Sequence, residues 1–188
     1  MTDQQQDSPP YDNDFSMVIE QEALTKLITR WMKEPVVSID TEFMRTSTYF
    51  SQPGLIQIAD REGVFIIDPL EVQDLKPLAP LLASEDVVKV MHAMSEDIEL
   101  LYHATGAQAK NVLDTQTAAA FLGYGVSLGY QNLVAEVLGI ELDKSETRSD
   151  WLQRPLSDSQ LVYAAKDAEY LLLLYDKLKN ELEQKALL

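Results

Sequence analysis

Three short apolar runs between residues 36 and 67 restrict the fold more than any other feature of the chain. Val36-Val37-Ser38-Ile39-Asp40 is compact and ends on an acid; Leu55-Ile56-Gln57-Ile58-Ala59 and Val64-Phe65-Ile66-Ile67 follow, separated only by Asp60-Arg61-Glu62-Gly63. Runs of this length, rich in β-branched residues and bounded by turn formers, read as buried strands, and the polar spacer makes the last two a hairpin. Phe15 to Ile19 offers another short strand. Ala23, Leu24, Leu27, Ile28 and Trp31 recur at helical spacing until Pro35 interrupts them, which ends a first helix near Lys33.

Beyond Pro69 the pattern alternates. Leu75 to Leu82 is helical and Val87 to Met91 is a strand; Ser95 is read as the cap of a helix with an apolar face at Ile98, Leu101 and Tyr102. Val112-Leu113 is a short final strand. Asp114 caps a helix from about Thr115 to Phe121, and another runs from Gln131 to Leu138. A polar loop, Asp143 to Arg154, is anchored on the core by Trp151. After Pro155, Ser157 and Gln160 form a capping-box pattern that opens a helix running to about Lys185, with Leu171 to Leu174 in the core. The expected architecture is α/β: a mixed sheet, partly antiparallel because of the hairpin, flanked by helices.

With 188 residues and 46% hydrophobic content, the chain can bury one sizeable core, so one domain is expected from residue 15 to 188. Residues 1–14, polar and proline-bearing, read as a disordered lead. There is no uninterrupted apolar stretch of the roughly 18 to 20 residues that a membrane helix needs, and the N-terminus has neither a basic start nor an apolar signal core. The expectation is a soluble, cytoplasmic protein without a membrane partner; nothing in the sequence sets an oligomeric state. Cysteine is absent, which removes disulfides, thiolate metal sites and cysteine nucleophiles. With only His92 and His103 as imidazoles, any metal site would be built mainly of carboxylates.

Acids converge at three places. Asp40-Thr41-Glu42 ends a strand, where residues i and i+2 point to one face, so these two carboxylates come together. Asp97 falls in the first turn of a helix, and Tyr163 and Asp167, four apart, stack on one helical face beside the small residues Ala164, Ala165 and Ala168. Each pattern alone has a bland explanation: a strand leaving the core, an acid favoured by a helix N-terminus, an incidental surface pair. Four carboxylates in one place would repel one another unless cations sat between them. Hard oxygen ligands suit Mg²⁺ or Mn²⁺, and two such ions roughly 3.5 to 4 Å apart can clamp the attacking and leaving oxygens of a phosphoryl displacement. The net charge of −16, from 31 acidic and 15 basic residues, counts against nucleic acid when taken alone. Bound cations would reverse the local field met by a phosphate.

On these residues the chain resembles the bacterial ribonuclease D family of four-acid exonucleases. The resemblance lies in Ile39-Asp40-Thr41-Glu42-Phe43, His92-Ala93-Met94-Ser95-Glu96-Asp97, Asp114-Thr115-Gln116, Leu142-Asp143-Lys144-Ser145-Glu146, Asp150-Trp151-Leu152-Gln153-Arg154-Pro155-Leu156 and Tyr163-Ala164-Ala165-Lys166-Asp167, over about residues 15 to 180. It implies a ribonuclease H-like fold and removal of nucleoside 5′-monophosphates from single-stranded RNA 3′ ends, with transfer RNA precursors among the substrates. It also implies two divalent cations held by Asp40, Glu42, Asp97 and Asp167, with Tyr163 placing the attacking water. Val162 stands where related exonucleases carry a histidine, which places the chain in the tyrosine subclass. The family's C-terminal helical nucleic-acid-binding modules are expected to be absent, whether the chain is a truncated or a natural short form.

Four further residues are candidates for substrate contact. Lys144 and Arg148, in the polar loop, suit phosphate contact; the resemblance supports Lys144 more, and Arg148 reads equally as a solvated charge. Phe43 suits packing on the terminal nucleotide, against the plain alternative of a core phenylalanine. His92 suits contact with the terminal sugar or phosphate, against a hydrogen-bonded structural histidine. Two other functions fit the same residues: a DNA exonuclease or proofreading-type domain, since only contacts to the 2′-hydroxyl separate the sugars, and a binding module that has lost catalysis. The complete set of acids with Tyr163 counts against the latter.

Overall fold

A mixed sheet carries the fold in the computed structural model, which describes residues 15–45, 50–143 and 145–186. The disordered lead expected for residues 1–14, and Lys144, lie outside the described residues. Among those described, six strands occur: β1 (Phe15–Val18), β2 (Val36–Met44), β3 (Gln52–Ala59), β4 (Val64–Ile67), β5 (Val88–Met91) and β6 (Val112–Asp114). They lie in the order β1-β4-β3-β2-β5-β6. β2, β3 and β4 pair antiparallel, the last two as the expected hairpin, while β1 joins β4, β5 joins β2 and β6 joins β5 in parallel.

The helices are α1 (Gln21–Trp31), α2 (Ala79–Ala83), α3 (Ser95–Thr105), α4 (Thr115–Leu122), α5 (Tyr130–Leu138) and α6 (Asp158–Gln184). The stretch expected as one helix around Leu75 to Leu82 is a 3₁₀ turn, Lys76–Leu78, followed by the short α2. Pro77 and Pro80 account for the break, because each lacks the N–H that would continue an α-helical ladder. Ser95 is the first residue of α3 rather than its cap. Met94 occupies the cap position, with no side-chain bond to the helix. Asp114 does cap α4, accepting from the Gln116 N–H at 2.8 Å, and also takes the Ala93 N–H at 3.0 Å.

Alternation along the strands divides the core. Val37, Ile39, Ile56 and Ile58 face Leu24, Ile28 and Trp31 of α1 and Leu101 of α3, whereas Val36, Leu55, Val64, Ile66 and Val90 face Ala164, Ala165, Ala168 and Leu171 of α6. The 27 residues of α6 span about 40 Å. Its start is fixed by the capping box: Gln160 N–H donates to Ser157 Oγ at 3.2 Å and Ser157 N–H to Gln160 Oε1 at 3.0 Å. Alanine on the sheet-facing side lets the helix approach closely enough for Ser38 Oγ to donate to the Ala168 carbonyl at 2.7 Å. Further along α6, Leu174 and Leu178 pack with Ala119 of α4 and Leu133 of α5.

The loop before α6 is fastened from two sides. Arg154 forks onto Asp68, with Nε and an Nη each 2.7 Å from a carboxylate oxygen, and donates to the Gly54 carbonyl at 2.9 Å. Trp151 is 2% exposed, its backbone pressed on Gly54 so closely that a Cβ there would lie 2.6 Å from Trp151 Cβ and 2.7 Å from its carbonyl oxygen. Gly54→Ala should therefore force loop and strand apart and destabilise the fold by about 1–3 kcal/mol, measured by urea denaturation. Unchanged stability would mean that the loop yields freely.

Candidate active site

Strand β2 and helix α6 deliver the central acids. Asp40 and Glu42 project from β2 toward α6, and Asp167 rises from α6 one residue before Ala168, the residue tied to Ser38. One carboxylate oxygen from each of Asp40, Glu42 and Asp167 lies within 4.8 Å of the others. Asp97, in the first turn of α3, stands beside this group and accepts a short hydrogen bond from Thr41 Oγ1. A β-bulge between Glu42 and Phe43 alters the strand register immediately after the acid pair.

Burial and like charge together make this cluster costly in its ionised form. Asp40 is held well above the usual carboxylate range, first by burial and then by the charges of Asp167, Asp97 and Glu42. Burial and the charges of Asp167 and Asp97 raise Glu42 to about 9. Asp167 rises to about 7 through burial, against a hydrogen bond from Tyr163 that favours its charged form. Burial also raises Asp97, opposed by the Thr41 hydrogen bond. A divalent cation fits this donor set: hard oxygen ligands converge on one point and need positive charge to ionise together.

The acids open into a cleft of about 430 Å³ lined also by His92, Tyr130, Thr147 and Tyr163. Tyr163 lies one turn before Asp167, beside Trp151, their rings 6.1 Å apart. Burial and the Asp167 charge push its phenol upward while a hydrogen bond from Thr147 pulls it down, so the phenol keeps its proton near neutral pH. His92 follows β5 directly, with Nδ1 2.9 Å from Thr115 Oγ1, and burial lowers its proton affinity. A larger cleft of about 630 Å³, lined by residues including Pro69, Leu75 and His103, shares no lining residue with this one and, among the described residues, gathers no comparable acid cluster.

The structure thus brings together Asp40, Glu42, Asp167, Tyr163 and His92, with Asp97 at the margin. It does not bring all the expected substrate contacts to the cleft wall. Phe43, partly buried beyond the bulge, is absent from the lining, and Arg148 is exposed on its loop while its neighbour Thr147 lines the cleft. Two residues escaped the sequence reading. Tyr130 opens α5 and donates to the Asp167 carbonyl at 2.6 Å, bracing α6 at the acid; Thr147 touches Tyr163. Thr147's position in the same polar loop as Arg148 was a weak signal, and Tyr130 had none beyond its place at a helix start.

A family model described as 3′-5′ exonuclease matches residues 15–183. The chain belongs to that exonuclease family. It is 46% identical over 162 residues to ribonuclease D of Pseudomonas paraeruginosa, an alignment covering 86% of this chain and 43% of that protein. The crystal structure of Escherichia coli RNase D, described as an exoribonuclease involved in structured RNA processing, superposes with a TM-score of 0.88 at 42% identity, over 93% of this chain and 47% of that one. The Aedes aegypti Nibbler EXO domain superposes with a TM-score of 0.82 at 27% identity, over 93% of this chain and 91% of that domain. The chain therefore spans just under half the length of the ribonuclease D proteins it matches.

The raised carboxylates give a signed expectation for the metal-free protein. Groups ordinarily near 3.8 to 4.5 that rise on folding, Glu42 to about 9 and Asp167 to about 7, stabilise the fold fully only while protonated in both states, and that contribution is lost as pH climbs through the folded values. In EDTA, the melting temperature should fall between about pH 5 and about pH 9, and excess Mg²⁺ or Mn²⁺ should restore most of the loss at the alkaline end. A metal-free melt independent of pH over this window would contradict the clustering.

Proposed function

We propose that residues 15–188 form a cytoplasmic, metal-dependent 3′→5′ exoribonuclease domain that releases nucleoside 5′-monophosphates from single-stranded RNA ends, transfer RNA precursors among them. The observation that carries this reading is the convergence of Asp40, Glu42 and Asp167 on one point, beside Tyr163 and within a family of 3′-5′ exonucleases. The strong similarity to ribonuclease D over most of the chain supports RNA as the substrate. Among the described residues no helix is long and apolar enough to cross a membrane.

In this reading Asp40, Glu42, Asp97 and Asp167 would hold two divalent cations between them; Mg²⁺ and Mn²⁺ suit the all-oxygen donor set. When bound, such ions supply charge stabilisation for the phosphoryl transition state and acidify the attacking water. Tyr163, protonated and fixed by Thr147 and Asp167, orients that water by hydrogen bonding without itself taking the proton. His92 on the cleft wall meets the terminal nucleotide, and Lys144 and Arg148 supply phosphate contacts from the loop. Membership of the 3′-5′ exonuclease family supports entry of a strand by its free 3′ end.

Asp40→Asn should leave the fold intact and reduce hydrolysis of 3′-labelled RNA to background, because an amide lacks the charge that retains the cation; Tyr163→Phe should slow turnover by roughly 10²- to 10⁴-fold while retaining Mn²⁺ binding. A 3′-phosphate should block degradation. Wild-type rates in either folded variant would remove that residue from the mechanism, and efficient cleavage of circular single-stranded RNA would overturn the exonucleolytic reading.

A further inference from the structure

Beneath the acid pair lies a polar side chain with no role so far. Gln57 is in the middle of β3, 0% exposed, and neither its Oε1 nor its Nε2 has a hydrogen-bond partner among the described residues. A buried amide left in this state is destabilising, and an apolar residue of similar shape would avoid the cost. Its surroundings make the choice of glutamine more pointed. Leu55 and Ala59, two residues away on either side, and Ile66, its register partner on β4, belong to the apolar layer under α6.

The register supplies the reason. Gln57 is the direct partner of Asp40 across the antiparallel β2–β3 ladder. Opposed residues project to the same face with Cβ atoms about 4.5–5.5 Å apart, and a glutamine side chain is long enough to cover that distance. Gln57 and Asp40 thus share the sheet face covered by α6, with Gln57 on the buried side and Asp40 opening to the cleft. An amide can donate to a carboxylate oxygen while the carboxylate's other oxygen faces a cation.

We infer that Gln57 is a positioning residue for the cation site: its Nε2 donates to the inner oxygen of Asp40 when a divalent cation draws on the outer one, fixing the carboxylate in its ligating orientation. The inference rests on the proposed cation site and deepens it. It assigns the side chain no contact with substrate.

Isothermal titration of Mn²⁺ into the wild-type chain, Asp40→Asn and Gln57→Leu, with metal-free melting curves for each, separates the possibilities. Loss of a group that orients a metal ligand weakens affinity by roughly 10- to 100-fold. Gln57→Leu should show that loss while its metal-free melting temperature equals or exceeds that of wild type, a combination that a purely structural amide would not give. Should leucine's branched outline lower the melt, Gln57→Met, which keeps the unbranched shape, decides by the same two readouts; collapse of both variants would count against the inference. If wild type binds Mn²⁺, Asp40→Asn does not, and the folded Gln57 variant binds as wild type does, the role of Gln57 is overturned and the cation site stands. If wild type fails to bind, or Asp40→Asn binds equally well, the cation site falls and the inference with it.

Discussion

The close approach of α6 to the sheet is the contact on which the arrangement depends. Ala164, Ala165 and Ala168 are buried against the strands, and Ser38 reaches across to the Ala168 carbonyl at 2.7 Å. Larger side chains at those positions would lift the helix by ångströms, and Asp167 would leave the reach of Asp40 and Glu42. Tyr130 braces the same segment from α5 through the Asp167 carbonyl. The helix is thus held at the acid from both sides, by interactions that involve no carboxylate.

This rigidity is what makes the charge cluster possible. Acids free to move would swing apart into water; here packing keeps Asp40, Glu42 and Asp167 together, and the protein meets the cost by raising their proton affinities. Backbone packing therefore stores an electrostatic demand that a divalent cation satisfies. The proposed exonuclease chemistry would draw on such a demand, since preorganised charge at the phosphate is usually the largest contribution a protein makes to hydrolysis. The net charge of −16 fits the same picture, because part of that acidity sits where cations would neutralise it.

Much of this was legible in the sequence where one period or one cap dominated. The hairpin around Asp60 to Gly63, the capping box of Ser157 and Gln160 and the Asp114 cap depend on neighbours in sequence, and the structure shows each of them; the anchoring of Trp151 was legible from its bulk in a polar loop. Strand β2 was read only to Asp40, since Thr41 to Met44 loses the apolar run; it continues because β3, starting earlier at Gln52, pairs with it past the bulge. Alternation along β2 turns Phe43 to the face opposite Glu42, away from the cleft wall. Ser95 looked like a cap because residue type alone cannot show that the chain enters α3 one residue sooner. Tyr130 and Thr147 are brought to the site by tertiary packing between distant segments, which no local pattern records.

Anomalous diffraction from crystals of the chain grown with Mn²⁺ tests the central claim most directly. An anomalous peak is expected between the carboxylates of Asp40, Glu42 and Asp167, with Asp97 at the margin. Saturating Mn²⁺ that bound elsewhere and left those three acids without an ion would contradict it.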